Sequence, residues 1–342
     1  MFDFFEELSN AGAHRILAVQ DKPSGLRAFI ALDDMTLGPA CGGVRTLAYG
    51  STSEALKDVA KLSSAMTLKC AIAGLDAGGG KAVVMLHPDM DRAAAFRRLG
   101  DFIEDLGGLF RTAGDLGTTN EDLLQIAERT SHVNTSSNQL STATGQGIVN
   151  CIRACAIERG LTGLSGLHIA VQGCGLIGNG VARSLAAQGA KVTVADVDEN
   201  KAKILANEIG GKWIAADKIL TTEVDIISPC AVGGVVTPQI VNDIRAWAIC
   251  GGANNQLSDP SVDALLAARG IAYIPDFLAS SGAVIEGIAR TVMNTDPDPF
   301  IARLEATAVL ILQQARKEKS GTDAIGRTIA LSRIQKVNLS AA

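Results

Sequence analysis

The sequence predicts an α/β fold of two domains, an N-terminal α/β domain followed by a C-terminal domain on a doubly wound parallel sheet. Three observations predict it. The 342 residues are 47% hydrophobic with 36 glycines and only 4% aromatic residues, a composition that suits many tight strand–helix turns around a large core. Short apolar runs alternate with helix-length segments along most of the chain. A polar, small-residue stretch, Asn134 to Gly147, interrupts that rhythm and marks a domain junction.

In chain order, Gly25 to Leu32 reads as a strand. Glu54 to Ala65 reads as a helix, with Ser53 as N-cap and Ala55, Val59 and Leu62 at helical spacing. After a glycine-rich turn, Ala82 to Leu86 is a buried strand. Asp91 to Leu106 is a helix, Phe110 to Ala113 a short strand and Glu121 to Glu128 a helix. Beyond the junction, helical periodicity resumes from Gly147 to Glu158. Strands then follow at Leu167 to Gln172, Lys191 to Ala195, Asp225 to Ile227, Ala246 to Cys250 and Ile271 to Tyr273, separated by helix-length segments. Helices dominate from about Ile285, and Arg316 to Thr322 forms a polar break before a last helix, Asp323 to Ile334. The expected domains are 1–140 and 141–322, with 323–342 returning to the first.

Composition excludes several classes. The 31 basic and 36 acidic residues give a net charge of −5 without any basic run, so neither nucleic acid nor an anionic membrane is an expected partner. No apolar run is long and uninterrupted enough to span a bilayer. The start, MFDFFEELSN, is acidic and unlike a secretory leader. Cys151 and Cys155 lie one helical turn apart, but no second ligand pair follows, and His14, His87, His132 and His168 are scattered singly. The seven cysteines read as reduced thiols of a cytoplasmic protein, with no metal site.

The strongest motif is Gly173-Cys174-Gly175-Leu176-Ile177-Gly178. It follows a strand and opens a helix, and the next strand ends at Asp196, 18 residues after Gly178. Gly173 permits the tight turn, Gly175 lets backbone approach a pyrophosphate at the helix N-terminus, and Gly178 allows close helix–strand packing. A carboxylate at Asp196 accepts hydrogen bonds from ribose hydroxyls and repels a 2′-phosphate, which points to NAD rather than NADP on a Rossmann domain.

A nucleotide fold names no reaction. The informative block is Met66-Thr67-Leu68-Lys69, then Gly78-Gly79-Gly80-Lys81, then Gly114-Asp115. Three consecutive glycines are entropically costly and suit backbone that passes close to a ligand, with Lys81 delivered at the end. These stretches resemble the glutamate/leucine/phenylalanine/valine dehydrogenase family, nearest its leucine and phenylalanine branch. The matches are LGPACGGVR (Leu37 to Arg45), AMTLKCA (Ala65 to Ala71), AGGGKAV (Ala77 to Val83), TAGDLGT (Thr112 to Thr118), VQGCGLIGNGVA (Val171 to Ala182), PCAVGGVV (Pro229 to Val236), CGGANNQL (Cys250 to Leu257) and PDFLASSGAVI (Pro275 to Ile285), in family order.

The resemblance implies an NAD-dependent, oligomeric enzyme that reversibly deaminates an apolar or aromatic L-amino acid to the 2-oxo acid and ammonia. By that resemblance, Lys69 and the Gly42-Gly43 backbone hold the substrate carboxylate, Lys81 is the general acid/base, Asp115 handles protons at the amino group, and Asn254 bridges substrate and nicotinamide. Cys230 and Ala231 join the cofactor-binding set with Gly173, Gly175, Leu176, Ile177, Gly178 and Asp196. Burial and the like charge of a second lysine are expected to lower the Lys81 pKa, with Asp115 moderating the shift. Glutamate dehydrogenases carry a lysine before the paired glycines that meets the substrate γ-carboxylate. Here that position is Cys41, so glutamate is disfavoured. Cys41, Ala113, Val284 and Gly287 stand at side-chain pocket positions, and Gly287 replaces a bulkier aliphatic residue of the branch. A leucine-like and an aromatic substrate both fit. The family's Asn-Ala-Gly-Gly appears as Ser280-Ser281-Gly282-Ala283, and its Ser-Pro at the junction as Ser141-Thr142. Two rival readings are a 2-hydroxy-acid dehydrogenase, which wants a His/acid pair and an arginine clamp, and a catalytically impaired NAD-binding regulatory protein.

Overall fold

In the computed structural model, which describes residues 5–6, 15–136 and 139–341, the chain packs as two units. One comprises residues 1–137, 287–294 and 331–342, and the other residues 138–286 and 295–330. Most of the acidic start, and positions 137 and 138 of the polar junction, lie outside the described residues.

The first unit is built on a five-stranded sheet in the order β1-β2-β4-β3-β5. Its strands are β1 (Arg15–Asp21), β2 (Leu26–Leu32), β3 (Ala40–Leu47), β4 (Gly78–Met85) and β5 (Phe110–Gly114). β2 is antiparallel to β1 and β4, while β3 is parallel to β4 and β5. The helices are α1 (Thr52–Ala73), α2 (Arg92–Glu104) and α3 (Asn120–Ala127).

Period-two alternation sorts the side chains. Leu26, Ala28, Ile30 and Leu32 of β2, Ala82 and Val84 of β4, Ala40 and Val44 of β3 and Phe110 of β5 pack with Phe96 and Leu99 of α2 and Ile126 of α3. Phe29, Ala31 and Val83, of opposite parity, pack with Ala55, Leu56 and Val59 of α1. Lys81 shares the parity of Val83, while Cys41, Arg45, Arg111 and Ala113 oppose that of Ala40, Val44 and Phe110. The strand pattern therefore sends all five to the α1 side of the sheet.

Helix α1 departs from its sequence expectation at both ends. Its N-cap is Ser51, not Ser53, with the Ser51 hydroxyl accepting the Glu54 N–H at 3.1 Å. It runs past Ala65 to Ala73 and stops at Gly74, whose φ of 77° is the left-handed cap. No glycine or proline intervenes between Ala65 and Gly74 to end it sooner. The glycine-rich turn expected before Ala82 is likewise strand: Gly78, Gly79 and Gly80 form the first half of β4. β1 and β3 carry no expectation from sequence.

The second unit holds a six-stranded, all-parallel sheet in the order β11-β10-β9-β6-β7-β8. Its strands are β6 (His168–Gln172), β7 (Lys191–Ala195), β8 (Lys212–Trp213), β9 (Ile226–Pro229), β10 (Ala248–Ile249) and β11 (Ala272–Tyr273). The chain winds outward from β6 to β8, then returns to β9 on the other side of β6. That reversal is the topological switch point of a doubly wound sheet, the Rossmann arrangement. The remaining helices are α4 (Leu140–Glu158), α5 (Leu176–Ala187), α6 (Glu199–Ile209), α7 (Pro238–Val241), α8 (Ser261–Ala268), α9 (Asp276–Ala279), α10 (Gly282–Thr291), α11 (Asp298–Glu318) and α12 (Thr322–Ala341), of which α10 from Gly287 and α12 from Leu331 belong to the first unit.

Helix α4 begins at Leu140, inside the stretch expected to be irregular up to Gly147. Its small residues serve close packing instead: Ala143, Thr144 and Gly145 are buried, and a Cβ on Gly147 would sit 3.0 Å from Leu304 of α11. α11 is tied to α4 by Asn150 Nδ2 donating to the Ile301 carbonyl at 2.9 Å and by the Arg153–Glu305 ion pair at 2.7 Å. The expected polar break from Arg316 is helical through Glu318. In the first unit, Arg333 of α12 donates to the Leu75 carbonyl at 2.6 Å, beyond the end of α1.

All seven cysteines are free thiols, six of them buried. Among the described residues no helix is long and apolar enough to cross a membrane, and no group of three His, Cys, Asp or Glu residues is placed to hold a metal ion.

Candidate active site

Lys81 leaves β4 on the α1 side of the sheet with its side chain only 6% exposed. Asp115 follows β5 directly, and its Oδ1 lies 2.9 Å from Lys81 Nζ. Its other oxygen, Oδ2, accepts from Arg45 Nε of β3 at 2.7 Å. Burial lowers the Lys81 pKa from the usual lysine value, while the Asp115 charge pulls it back up. Burial also pushes Asp115 up, but the two cations outweigh it and hold the carboxyl below the usual range. The like charge that lowers Lys81 is Arg45, not Lys69 as the sequence suggests.

The glycines beside Lys81 have reasons within the protein itself. A Cβ on Gly78 would fall 2.1 Å from the Asp34 carbonyl, and one on Gly79 2.2 Å from Thr67 Oγ1 and 2.3 Å from the Ser63 carbonyl. One on Gly80 would press on the Phe110 ring at 2.9 Å. The close approaches are to the chain after β2 at Gly78, to α1 at Gly79 and to β5 and β3 at Gly80. Absent side chains let α1 lie down on the sheet, and this brings Asp58 and Lys69 of that helix to the Lys81 side. Lys69 is half-buried.

Gly42 and Gly43 pair with Thr112 and Ala113 of β5. On the β4 side the register runs through Cys41↔Gly79 and resumes only at Val44↔Ala82. The ladder is thus interrupted at the paired glycines, beside Gly80 and Lys81. A Cβ on Gly42 would lie 1.7 Å from the Gly80 carbonyl, and one on Gly43 2.6 Å from the Gly114 carbonyl, so neither position accepts a side chain. Cys41 is buried, its Sγ donates to the Pro39 carbonyl at 3.5 Å, and burial pushes its thiol up to about 12. It stays a neutral thiol. Ala113 is half-buried, opposite Gly43. Gly287 lies on α10, where an added Cβ would meet Asn134 Nδ2 at an ordinary 3.6 Å. Val284 is one turn earlier on the same helix face.

In the second unit, the turn after β6 has the backbone geometry of a glycine-rich strand–helix turn. Gly173 has a φ of 94°, and a Cβ there would touch Ala231 after β9, at the switch point. A Cβ on Gly178 would fall 1.9 Å from the Gly173 carbonyl, so helix α5 could not start so close to the strand. Gly175 is the N-cap of α5, and an added Cβ there would meet nothing within 4 Å. Its side is open, next to exposed Leu176 and to half-buried Ile177, where the helix N–H groups can receive a phosphate. Cys230 is half-buried and Ala231 exposed on the opposite rim. Asp196, just past β7, accepts the Cys174 N–H at 2.7 Å and the Asp198 N–H at 2.9 Å. Those bonds orient the carboxylate and leave lone pairs for ribose hydroxyls.

Comparison with known proteins identifies the family. Residues 14–132 match the Glu/Leu/Phe/Val dehydrogenase dimerisation domain, and residues 193–300 match the Glutamate/Leucine/Phenylalanine/Valine dehydrogenase domain. Phenylalanine dehydrogenase of Lysinibacillus sphaericus is 38% identical over 297 residues, 83% of this chain and 77% of that protein. Leucine dehydrogenase of Geobacillus stearothermophilus is 38% identical over 291 residues, 83% of this chain and 79% of that protein. The chain belongs to the Glu/Leu/Phe/Val dehydrogenase family. Among solved structures, L-tryptophan dehydrogenase from Nostoc punctiforme superposes with a TM-score of 0.89 at 31% identity, covering 98% of this chain and all of that one. The protein is an amino-acid dehydrogenase, and its Rossmann unit is built for a nicotinamide cofactor.

Within this dehydrogenase, the Ser280 to Ala283 segment is well accommodated. Ser280 Oγ donates to the Asp276 carbonyl at 2.7 Å and reaches Asn254 Oδ1 at 3.3 Å. Gly282 lies against Ala143 and Thr144, and the Ala283 N–H donates to Thr144 Oγ1 at 3.1 Å. Asn254 is exposed. Three residues at the Lys81 site were not singled out from sequence: Arg45, Asp58 and Tyr49. Asp58 Oδ2 lies 3.2 Å from Arg45 NH1 and accepts the Tyr49 hydroxyl at 2.6 Å. Arg45 closes the Leu37 to Arg45 stretch, so its signal was present. Asp58 shows none until α1 is known to continue to Lys69.

Proposed function

We propose that this dehydrogenase uses NAD to oxidatively deaminate an apolar or aromatic L-amino acid, reversibly, to the 2-oxo acid and ammonia. The observation that carries it is the Lys81–Asp115 pair, a buried lysine 2.9 Å from a carboxylate on the sheet face covered by α1. Lys81, with its pKa lowered by burial, takes a proton from water as that water attacks the iminium carbon, and returns a proton in the reverse direction. Asp115, kept ionised by Lys81 and Arg45, accepts a proton from the substrate nitrogen. Lys69 and the backbone at Gly42 and Gly43, where the β3–β4 ladder is open, hold the α-carboxylate. A bound nicotinamide supplies the acceptor for the hydride leaving the substrate Cα. The cradle of Gly173, Gly175, Leu176, Ile177 and Gly178 with Cys230 and Ala231 seats the dinucleotide, Asp196 selects NAD, and Asn254 orients the substrate toward the nicotinamide.

Neutral Cys41 offers no counter-charge to a side-chain carboxylate, which supports apolar substrates over glutamate. Relatives named for leucine, phenylalanine and tryptophan support the same range. The match of residues 14–132 to a dimerisation domain supports a homo-oligomer, and seven free thiols suit the cytoplasm. The test is a panel of L-amino acids with NAD, followed by NADH absorbance. Turnover of leucine, phenylalanine or tryptophan with none on glutamate is expected, and glutamate as best substrate overturns the reading.

A further inference from the structure

The Lys81–Asp115 pair is the inner end of a longer chain of charged groups. Lys81 Nζ engages Asp115 Oδ1 at 2.9 Å and Arg45 Nε engages Oδ2 at 2.7 Å, so both carboxylate oxygens are held. Arg45 NH1 spans both oxygens of Asp58, at 3.3 and 3.2 Å. The Tyr49 hydroxyl donates to Asp58 Oδ2 at 2.6 Å. The side chains of Arg45, Asp58 and Asp115 are each less than a quarter exposed, and Lys81 far less.

We propose that Arg45, Asp58 and Tyr49 form a positioning chain that locks the Asp115 carboxylate, and through it the Lys81 amine, in the geometry the reaction needs. The inference rests on the acid/base roles read above for Lys81 and Asp115. Three physical arguments carry it. Asp115 stands in a loop after β5, where a carboxylate has rotational freedom. Separate cations on its two oxygens remove that freedom, and a reacting group misplaced by an ångström loses much of its rate. Charge balance is the second. Lys81 and Arg45 against Asp115 alone would leave a surplus cation in a largely buried site, and Asp58 restores two against two. The third is anchorage: Asp58 rides on α1, whose Ala55, Leu56 and Val59 are almost fully buried, so the chain is tied to a rigid helix. Tyr49 then donates to Asp58 Oδ2, an oxygen it shares with Arg45 NH1. Its phenol is pushed up by burial and by Asp58, so it remains a donor.

Asp58 and Arg45 act on Lys81 with opposite sign. The Asp58 charge favours the ammonium, and the Arg45 charge disfavours it. Asp115 just past β5, Arg45 of β3 and Asp58 of α1 are charged groups that act on Lys81. The neutral amine is the working base in deamination, so the acidic limb of the kcat–pH profile reports Lys81. Asp58→Asn should move that limb to lower pH, and Arg45→Gln should move it to higher pH. A structural role alone would move both together or neither.

The experiment measures kcat, KM and the kcat–pH profile for L-leucine and L-phenylalanine, with NADH binding followed by fluorescence and fold by circular dichroism. In Asp58→Asn, kcat should fall by roughly tenfold to a hundredfold while NADH affinity is unchanged. Arg45→Lys should recover part of the loss seen in Arg45→Gln, since charge is kept and the two-sided reach is not. Tyr49→Phe, which keeps every charge, should lower kcat without moving the limb. Limbs that coincide with the unaltered enzyme, or shift in one direction, overturn the proposal. Should Asp58→Asn or Arg45→Gln not fold, unchanged kcat in both Tyr49→Phe and Arg45→Lys overturns it equally. Near-normal turnover in Lys81→Ala would instead overturn the acid/base reading on which the chain depends.

Discussion

Replacing Gly79 by alanine tests the packing that delivers Lys81. The added Cβ would lie 2.2 Å from Thr67 Oγ1, 2.3 Å from the Ser63 carbonyl oxygen and 2.4 Å from the Thr67 amide nitrogen. Carbon contacts want about 3.5 Å or more, so more than 1 Å must be found. Two of the three atoms are helix backbone, and the third donates to Asp33 at 2.6 Å, so no rotamer change relieves the clash. Either α1 lifts from the sheet or β4 bends. Overpacking of this kind costs about 1–3 kcal/mol. Loss of the buried Thr67–Asp33 bond adds about 1.5–3 kcal/mol, against roughly 0.5–1 kcal/mol gained by removing a strand glycine. The net loss is about 1.5–5.5 kcal/mol. At about 2–4 °C per kcal/mol, scanning calorimetry at fixed protein concentration should show Tm lower by roughly 3–22 °C. Because Asp58 and Lys69 travel with α1, kcat/KM for the amino acid should fall as well, while NADH binding persists. A Tm within a degree of the unaltered protein, with normal kcat/KM, would mean that α1 does not lie against Gly79 as described.

Gly175→Ala is the converse case: its Cβ meets nothing, so Tm should change little, about 1 kcal/mol at most for the altered N-cap, while NADH affinity measured by fluorescence drops. Intact affinity would show that the open space is not for the dinucleotide. Lys81→Ala should abolish turnover with NADH binding retained, whereas Lys69→Ala should chiefly raise KM for the amino acid; steady-state kinetics separate the two. Asp196→Ala should narrow a strong preference for NAD over NADP, and equal kcat/KM for both cofactors in the unaltered enzyme would refute the selector role. Gly287→Val makes no severe contact at Cβ, so the fold should hold. Its kcat/KM should fall more for phenylalanine or tryptophan than for valine, by about 1–3 kcal/mol of discrimination, and an equal loss across substrates would remove Gly287 from the pocket.

The parts of this enzyme that read well from sequence share one property: their signal is local. The dinucleotide turn is legible because strand, glycines, helix and Asp196 fall within 29 consecutive residues, His168 to Asp196, and each has a single backbone reason. The alternation that buries Val83 is local too, and it carries Lys81 to the same face. What failed depended on partners distant in the chain. The run Gly78 to Gly80 looks like a turn when read alone. It is strand because Thr67, Asp34 and Phe110 press on it, and none of these contacts is written in the run itself. Ala143 to Gly147 looks flexible for the same reason, since its small residues are spaces for α11 and Gly282. The sequence suggested two lysines in mutual repulsion, Lys69 and Lys81, whereas the cation that acts on Lys81 comes from β3.

One element would have exposed much of the rest. Ending α1 at Ala65 separated Asp58 from Lys69. With the helix continued to Ala73, the two are eleven residues apart, three turns, and differ by about 20° around the axis. An acidic and a basic residue on one stripe of a helix whose neighbouring stripe is Ala55, Val59 and Leu62 is a polar line held against a sheet, not a solvated face. The sheet must then supply the complementary charges; strand parity sends Lys81, Arg45 and Arg111 to that side, and Arg45 is the one that pairs with Asp58. The site follows from helix length and strand parity together, and a single wrong helix end was enough to hide its outer half.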